Sequence, residues 1–181
     1  DVVHEACKRL TKDWGFSARH ITVSTVGVVP GMKKMAKWEL PVTLAISLHS
    51  PYDDKRSQMI PLNKRYDIAE VLKAGEEVSH AHGRRVSFEY CAIDDNNIND
   101  KTAHELGNLL RDFQGAGGAH VNIIPLNRTS GFKGKASRHS EIQRFSEIVE
   151  KYGVTVSIRK NRGTDIDAAC GQLRERETAN D

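Results

Sequence analysis

Residues 85–93, RVSFEYCAI, form a short run rich in β-branched and aromatic side chains, and this composition favours a β-strand. An amphipathic segment precedes the run at 67–78, DIAEVLKAGEEV, and another follows it at 101–113, KTAHELGNLLRDF. A strand flanked by two helical segments predicts parallel pairing with strands further along the chain, through helical crossovers.

Helix starts can be located from capping signals. Asp67 stands three residues before Glu70, a capping-box spacing, and Asp100 is expected to cap the helix at 101–113. Ser140 and Gln143 form a second capping-box pair, before a further helix. Residues 2–10 and 31–38 also have helical patterns, and one face of the 101–113 helix carries an apolar stripe of Ala103, Leu106, Leu110 and Phe113.

Four more apolar runs alternate with the helices, at 20–29, 42–49, 120–127 and 153–160. We interpret them as nearly continuous apolar strands with both faces covered. Either an open doubly wound sheet or a TIM-type barrel would suit this order. Because no GxGxxG or Walker loop follows a strand, we favour an α/β fold that is a partial TIM-type (β/α) barrel.

The composition is that of a soluble globular domain: 38% of the 181 residues are hydrophobic and 28% charged, with a net charge of +3. No apolar run is long enough to span a membrane. The three cysteines are far apart, which predicts neither a disulfide framework nor a metal knuckle and favours a reducing, cytoplasmic location. The chain begins with Asp1 inside a helical pattern, so we expect it to be part of a longer protein.

Polar residues follow several strands, where a parallel α/β fold places its reactive groups. Ser24 and Asn127 could be turn formers, His49 an ordinary loop histidine, and Asp94 and Asp95 a solvated helix-capping pair. Together, however, these residues suit a zwitterionic ligand of nucleoside size. They are Ser24, Thr25, Ser47, His49, Asp94, Asp95, Asn127 and Arg159.

Two basic loops stand beside these strand ends. They could be simply solvated, or they could contact phosphates, and the absence of an aromatic RNP pattern or zinc-finger spacing argues against a stand-alone RNA-binding module. Their residues are Lys133, Lys135 and Arg138 in one loop and Arg159, Lys160 and Arg162 in the other.

Four quoted segments, in chain order, resemble one known family: ITVSTVGVVP (21–30), LAISLHSPYDDKRSQMIPLNKRY (44–66), VNIIPLN (121–127) and IRKNRGTDIDAACGQL (158–173). The chain resembles the C-terminal half of the radical-SAM RNA adenine methyltransferases of the RlmN/Cfr type. The resemblance implies a cytoplasmic enzyme that uses S-adenosylmethionine to methylate adenine in large-subunit rRNA. RlmN-like members act at C2 and also on tRNA, whereas Cfr-like members act at C8.

The resemblance also implies roles for particular residues. Cys170, within segment 160–181 of the domain that spans 1–181, matches the cysteine that carries the methyl group as S-methylcysteine. A carrier is needed because C2 of adenine is electron-poor and does not attack a sulfonium methyl. The positions that match contacts to S-adenosylmethionine are Ser24, Ser47, Leu48, His49 and Asn127.

The family's CxxxCxxC motif, which binds a [4Fe-4S] cluster, and its glycine-glutamate motif do not occur in the 181 residues. We therefore expect no metal ligands in this chain, a missing N-terminal part of the barrel that includes the first strands, and an inactive chain when isolated. The full-length enzyme is expected to be a monomer. Asn127 precedes Arg128 where many relatives have proline, so the loop shape departs from the family pattern.

Three other interpretations remain open. The quoted motifs do not separate C2 from C8 methylation. The chain could be an inactive RNA-contacting or partner-docking segment. A barrel hydrolase with Cys170 as nucleophile and His49 as base would use the same residues, although no further motif supports it.

Overall fold

A computed structural model of the protein describes residues 2–93, 97–126 and 135–159. The described strands are β1 (Thr22–Thr25), β2 (Thr43–Ser47), β3 (Val86–Ala92), β4 (Ala119–Pro125) and β5 (Thr155–Ile158). The helices are α1 (Val2–Lys12), α2 (Val29–Met35), α3 (Asp53–Met59), α4 (Ile68–His82), α5 (Asp100–Arg111) and α6 (His139–Glu150). Two 3-10 turns lie at Ala18–His20 and Pro61–Lys64.

The five strands form one sheet in the order β1-β2-β3-β4-β5, and every neighbouring pair is parallel. Crossovers between parallel strands are right-handed, so a sheet that follows chain order carries all its helices on one face. A barrel has this arrangement, whereas a doubly wound sheet reverses direction and has helices on both faces. The prediction of five parallel strands in a barrel-type α/β fold is confirmed.

The sheet has one apolar face and one polar face. In β3 and β4, buried residues alternate with half-buried ones, and the buried set packs against the helices. The second face of β3 and β4 is mainly polar and half-buried, so these two strands are not the continuous apolar runs that were predicted. The helix-facing core includes Leu44, Ile46, Phe88, Tyr90, Val121 and Ile123.

The helix starts are partly as predicted. At α4, Asp67 accepts the N–H of Glu70 at 2.8 Å, and Glu70 accepts the N–H of Asp67 at 3.3 Å, which completes the expected capping box. At α5 the cap is Asn99, whose Oδ1 accepts the N–H of Thr102 at 2.9 Å, and Asp100 is the first helical residue. An asparagine one residue earlier satisfies the same free N–H groups, so the predicted Asp100 cap is wrong.

The start of α6 also differs from the prediction. The helix begins at His139, and Glu141 accepts the backbone N–H of Arg138 at 2.8 Å, so the predicted pair of Ser140 and Gln143 does not form the cap. Helix α3 and the turn after it were not predicted. Among the described residues, no helix has the length and apolar character needed to cross a membrane.

Candidate cofactor-binding edge

Because all five strands are parallel, their C-terminal ends lie along one edge of the sheet, which we call the carboxyl edge. Ser24 lies on β1 and pairs in register with Ala45, two residues before Ser47 on β2. Residues two apart on a strand share a face, so the two serines lie on the same side of the sheet. Ser24 is exposed and Ser47 is half-buried, so a ligand could reach both hydroxyls.

Residues Ser47, Leu48 and His49 turn the chain at this edge. The backbone N–H groups of Leu48 and His49 both donate to the carbonyl of Glu89, at 3.0 and 3.4 Å. His49 has φ 59, a left-handed conformation that is uncommon for a residue other than glycine. Leu48 is fully buried in the core, so its side chain does not face the edge and only its backbone could contact a ligand.

The ring of His49 is held in one orientation. Its Nδ1 lies 3.0 Å from the backbone nitrogen of Cys91 and accepts that N–H, while Asn97 Nδ2 donates to the carbonyls of His49 and Cys91 at 2.9 and 2.7 Å. Burial lowers the pKa of His49, and the charge of Arg56 lowers it further, against the opposing effect of Glu89. His49 is therefore a neutral imidazole that carries its proton on Nε2, where it can act as a hydrogen-bond donor.

A set of hydrogen-bonded side chains, which we call the polar ring, crosses β3, β4 and β5 on the polar face. Ser87 donates to Glu89 at 2.7 Å, and Asn122 Nδ2 donates to Glu89 at 2.7 Å. Ser157 contacts Asn122 Oδ1 at 3.1 Å and His120 Nε2 at 2.9 Å, and His120 Nδ1 lies 3.3 Å from Ser87 Oγ. These contacts join three neighbouring strands. Glu89, Asn122 and Ser157 lie in register with Ser47, whereas Ser87 and His120 lie nearer the amino ends of β3 and β4.

Counting the hydrogens in the polar ring shows which protonation state of His120 would satisfy every contact. Ser87 gives its hydroxyl hydrogen to the Glu89 carboxylate, and Ser157 gives its own to Asn122, so both serines must accept from His120. Every contact therefore has a hydrogen only when His120 is an imidazolium. Burial, and secondarily the charge of Arg85, lower the pKa of His120, while Glu89 opposes them. A neutral imidazole at His120 consequently leaves one of these contacts without a hydrogen.

Three of the predicted phosphate-binding residues are described, and all are exposed: Lys135, Arg138 and Arg159. A β-bridge between Ile93 and Ala136 brings Lys135 close to the end of β3, and Arg159 directly follows β5. Arg138 lies at the start of α6, where its Nε is 3.8 Å from a carboxylate oxygen of Glu141. Lys135 and Arg159 thus lie near the carboxyl edge.

Other predicted site residues lie outside the described residues: Cys170, Asn127, Lys133, Lys160, Arg162, Asp94 and Asp95. Thr25 has a structural contact, because its hydroxyl accepts the N–H groups of Gly27 and Val28, both at 3.2 Å. Thr25 is therefore a turn former.

Metal binding requires several ligating side chains that converge on one point. Within 2–93, 97–126 and 135–159, no three His, Cys, Asp or Glu side chains come together in a way that could hold a metal ion. Cys7 is buried on α1 and Cys91 lies on β3. These two cysteines do not form the ligand set of an iron–sulfur cluster, which needs several convergent thiolates.

Sequence reasoning missed the polar ring and the buried Arg56. The period-two alternation of polar residues in VSFEYCA and AHVNIIP was a usable signal, since it predicts one covered and one partly open face. Arg56 gave no signal, because it stands in the strongly charged segment DDKRSQM, which is typical of a solvated helix.

The sheet order defines the class of fold, a barrel-type α/β sheet, and the solved structures that it resembles are radical SAM enzymes. The crystal structure of a radical SAM methyltransferase from Sphaerobacter thermophilus superposes with a TM-score of 0.84 and 44% identity, covering 90% of this chain and 47% of that one. A domain of a pyruvate-formate lyase-activating enzyme from Bacteroides vulgatus superposes with a TM-score of 0.64 at 17% identity, which is a likeness of fold alone.

Curated proteins of similar sequence are named as RNA methyltransferases. A protein from Bifidobacterium longum, "Probable dual-specificity RNA methyltransferase RlmN", is 48% identical over 166 residues, which are 91% of this chain and 42% of the relative. The "Ribosomal RNA large subunit methyltransferase N" of Nitrosopumilus maritimus is 41% identical over 176 residues, 96% of the chain and 49% of the relative. No family model matches the chain. The chain is similar to one part of the RlmN-type methyltransferases and spans less than half of the length of these relatives.

Proposed function

We propose that the chain is the part of a radical SAM RNA methyltransferase that holds S-adenosylmethionine at the carboxyl edge and carries the methyl-transferring cysteine. The observation that supports it most is the grouping of Ser24, Ser47 and His49 at one edge, in a chain that is 48% identical to a relative named as an RNA methyltransferase. The full-length enzyme methylates C2 of adenine in large-subunit rRNA, and tRNA is a second substrate. It is cytoplasmic and monomeric.

The residues at the edge fit the chemistry of S-adenosylmethionine. The two serine hydroxyls can donate to or accept from ribose hydroxyls, and His49 Nε2–H can donate to a carboxylate or a ring nitrogen. The backbone contacts of His49 fix that donor before any ligand arrives. Asn127 follows β4 in the sequence and completes this set in our proposal. When bound, S-adenosylmethionine supplies a methyl group and, with a [4Fe-4S] cluster held by another part of the full-length protein, radical chemistry.

Cys170 accepts the methyl group in this proposal. Its thiolate attacks the sulfonium methyl, so an S–C bond forms on Cys170 while the sulfonium S–C bond breaks and releases S-adenosylhomocysteine; the thiol proton leaves to solvent. The reaction needs the thiolate, which nearby positive charge favours. Arg159, Lys160 and Arg162 stand between β5 and Cys170 in the sequence and supply that charge.

The target adenine must leave its stack to enter such a site, so the RNA has to be held beside the carboxyl edge. Lys135 and Arg159 are exposed close to this edge and can contact phosphates. With Lys133, Arg138, Lys160 and Arg162 they form the proposed RNA-binding set.

Anaerobic incubation of the full-length protein with S-adenosylmethionine, a reductant and unmodified large-subunit rRNA tests the proposal. We expect 2-methyladenosine in the nucleoside digest by mass spectrometry, and a methyl group on Cys170 in the protein digest. Cys170→Ser should abolish both and leave S-adenosylmethionine binding intact, while Cys91→Ser should methylate normally. Formation of 8-methyladenosine would assign the chain to the C8 branch. Absence of methylation, or methylation by Cys170→Ser, would contradict the proposal.

A further inference from the structure

The side chain of Arg56, on α3, is completely buried under the ends of β1 and β2. Its Nη2 donates to the carbonyl of Val26 and to the carbonyl of Ser47, both at 2.8 Å, and its Nη1 donates to Asn63 Oδ1 at 2.5 Å. Val26 directly follows β1, and Ser47 is the last residue of β2. One guanidinium group therefore joins the C-terminal ends of two neighbouring strands.

The rest of the Arg56 environment also favours a fixed position. Asn63, which accepts from Arg56, donates in turn to Asp53 Oδ1 at 2.8 Å, and the same carboxylate accepts the N–H of Ile68 at the start of α4. Gly27 lies over the guanidinium with φ +100, and a Cβ there would lie 2.7 Å from Val71 Cγ2 and 3.3 Å from Arg56 Nη2. Only glycine lets the turn after β1 approach the guanidinium so closely.

A buried guanidinium group at this position costs folding free energy. All three acceptors of Arg56 are neutral oxygens, and its Nε has no hydrogen-bond partner in the described part of the chain. Burial lowers the pKa of Arg56, and only the charge of Asp53 opposes this effect. A buried cation without a directly bonded carboxylate destabilises a fold, so an apolar side chain of similar size would serve packing better.

Arg56 stabilises the turn that follows Ser47. The carbonyl of Ser47 is held by Arg56, and the next two N–H groups, of Leu48 and His49, are held by the carbonyl of Glu89. The guanidinium group of Arg56 is planar and its N–H donors have fixed directions. It therefore fixes the position of the C-terminal end of β2 and the distance from that end to the C-terminal end of β1. The guanidinium group thus fixes the spacing between Ser24 and Ser47 and the point from which the chain turns to His49.

We propose that Arg56 is a positioning residue for the cofactor-binding edge: it holds the ends of β1 and β2 in the geometry that binds S-adenosylmethionine, without touching it. Since Arg56 is fully buried, its side chain cannot reach a ligand directly. The inference rests on the proposed function, because the ligand at this edge is the one assigned above.

The test measures S-adenosylmethionine affinity in the full-length, cluster-loaded protein under anaerobic conditions, together with the free energy of unfolding. Arg56→Met keeps the length and removes the fork; we expect the dissociation constant to rise about tenfold or more. Arg56→Lys keeps the charge but lacks the fixed fork, and we expect a smaller rise. In steady state, both variants should raise the KM for S-adenosylmethionine and leave the KM for RNA unchanged.

His82 offers a matched control at the opposite end of β2. It is buried, and its ring nitrogens lie 3.1 Å from the carbonyl of Val42 and 2.9 Å from that of Met35. His82→Leu should lower stability and leave the affinity for S-adenosylmethionine within about twofold of wild type, because the hydrogen bonds that it removes are distant from the carboxyl edge.

The outcomes separate the two proposals. If the wild-type protein does not bind S-adenosylmethionine, the proposed function fails and this inference fails with it. If wild type binds but folded Arg56→Met binds equally well, or if His82→Leu loses as much affinity as Arg56→Met, then Arg56 is purely structural and the proposed function stands. Should Arg56→Met not fold, Arg56→Lys decides: unchanged affinity there would overturn the inference.

Discussion

Glu89 and Asn122 are joined across β3 and β4 by a 2.7 Å hydrogen bond from the amide nitrogen to the carboxylate. This hydrogen bond fixes the orientation of the Asn122 amide, which leaves Asn122 Oδ1 to accept from Ser157. The charge on Glu89 raises the pKa of His120, which lies on the other side of the ring, against the larger effects of burial and of Arg85.

Glu89→Gln should therefore change the titration of His120 with little loss of stability. A glutamine can donate to Asn122 after the asparagine amide flips, and the ring is then fully bonded around a neutral His120. Because Glu89 is the group that raises the pKa of His120, its removal should lower that pKa below the wild-type value. An NMR titration of the His120 ring measures it, with exposed Glu147→Gln as control. An unchanged pKa would show that the ring is not coupled in this way.

The protein should lose stability as the pH falls below about 6.5, the usual histidine pKa. Burial lowers the pKa of His49 and of His120 in the folded state. The unfolded chain then binds more protons than the folded chain in the interval below that value, so this stability is present above pH 6.5 and is lost towards the lower folded pKa values. Urea unfolding between pH 8 and 5 measures the loss. The double variant His49→Asn/His120→Gln should show a flatter profile, and an equally steep one would refute the assignment.

Helix α5 packs closely at Gly107 against Tyr152, which follows α6, and an added Cβ would overlap Tyr152 Cδ2. Tyr152 cannot move freely, since its hydroxyl bonds His104 Nδ1 at 2.8 Å. Gly107→Ala should destabilise the protein by about 1–3 kcal/mol, a usual cost of overpacking, despite the better helix propensity of alanine. Gly31→Ala on α2 is the control, because its nearest contact would be an ordinary 3.6 Å. Equal unfolding midpoints for the two variants would count against the packing argument.

Neutralising Lys133, Lys135 and Arg138 together should weaken RNA binding and reduce its salt dependence, since each cation bound to a phosphate releases counterions. The slope of log affinity against log salt should become shallower by roughly one unit for each phosphate interaction that the variant removes. Neutralising Lys73, an exposed residue of α4, is the control. An unchanged slope in the triple variant would mean that these side chains are only solvated.

The sequence predicted the strands and most helices because their signals are local: short β-branched runs, apolar stripes and the capping box of Asp67 and Glu70. Ser47 and His49 could be expected at the edge once the strands were known to be parallel. Three-dimensional relationships had no such signal. The burial of Arg56 depends on carbonyls 30 and 9 residues earlier in the chain. Asn99 and Asp100 are equally good capping residues, so the sequence alone could not choose between them.

The left-handed backbone at His49 restricts which substitutions evolution can sample there. A β-branched residue would be strained at φ 59, whereas glycine, asparagine and aspartate tolerate this region. Asparagine and glycine would keep the turn and lose the imidazole. Position 49 is therefore restricted in two ways: its backbone favours glycine, asparagine or aspartate, whereas the N–H of Cys91 needs a side-chain acceptor.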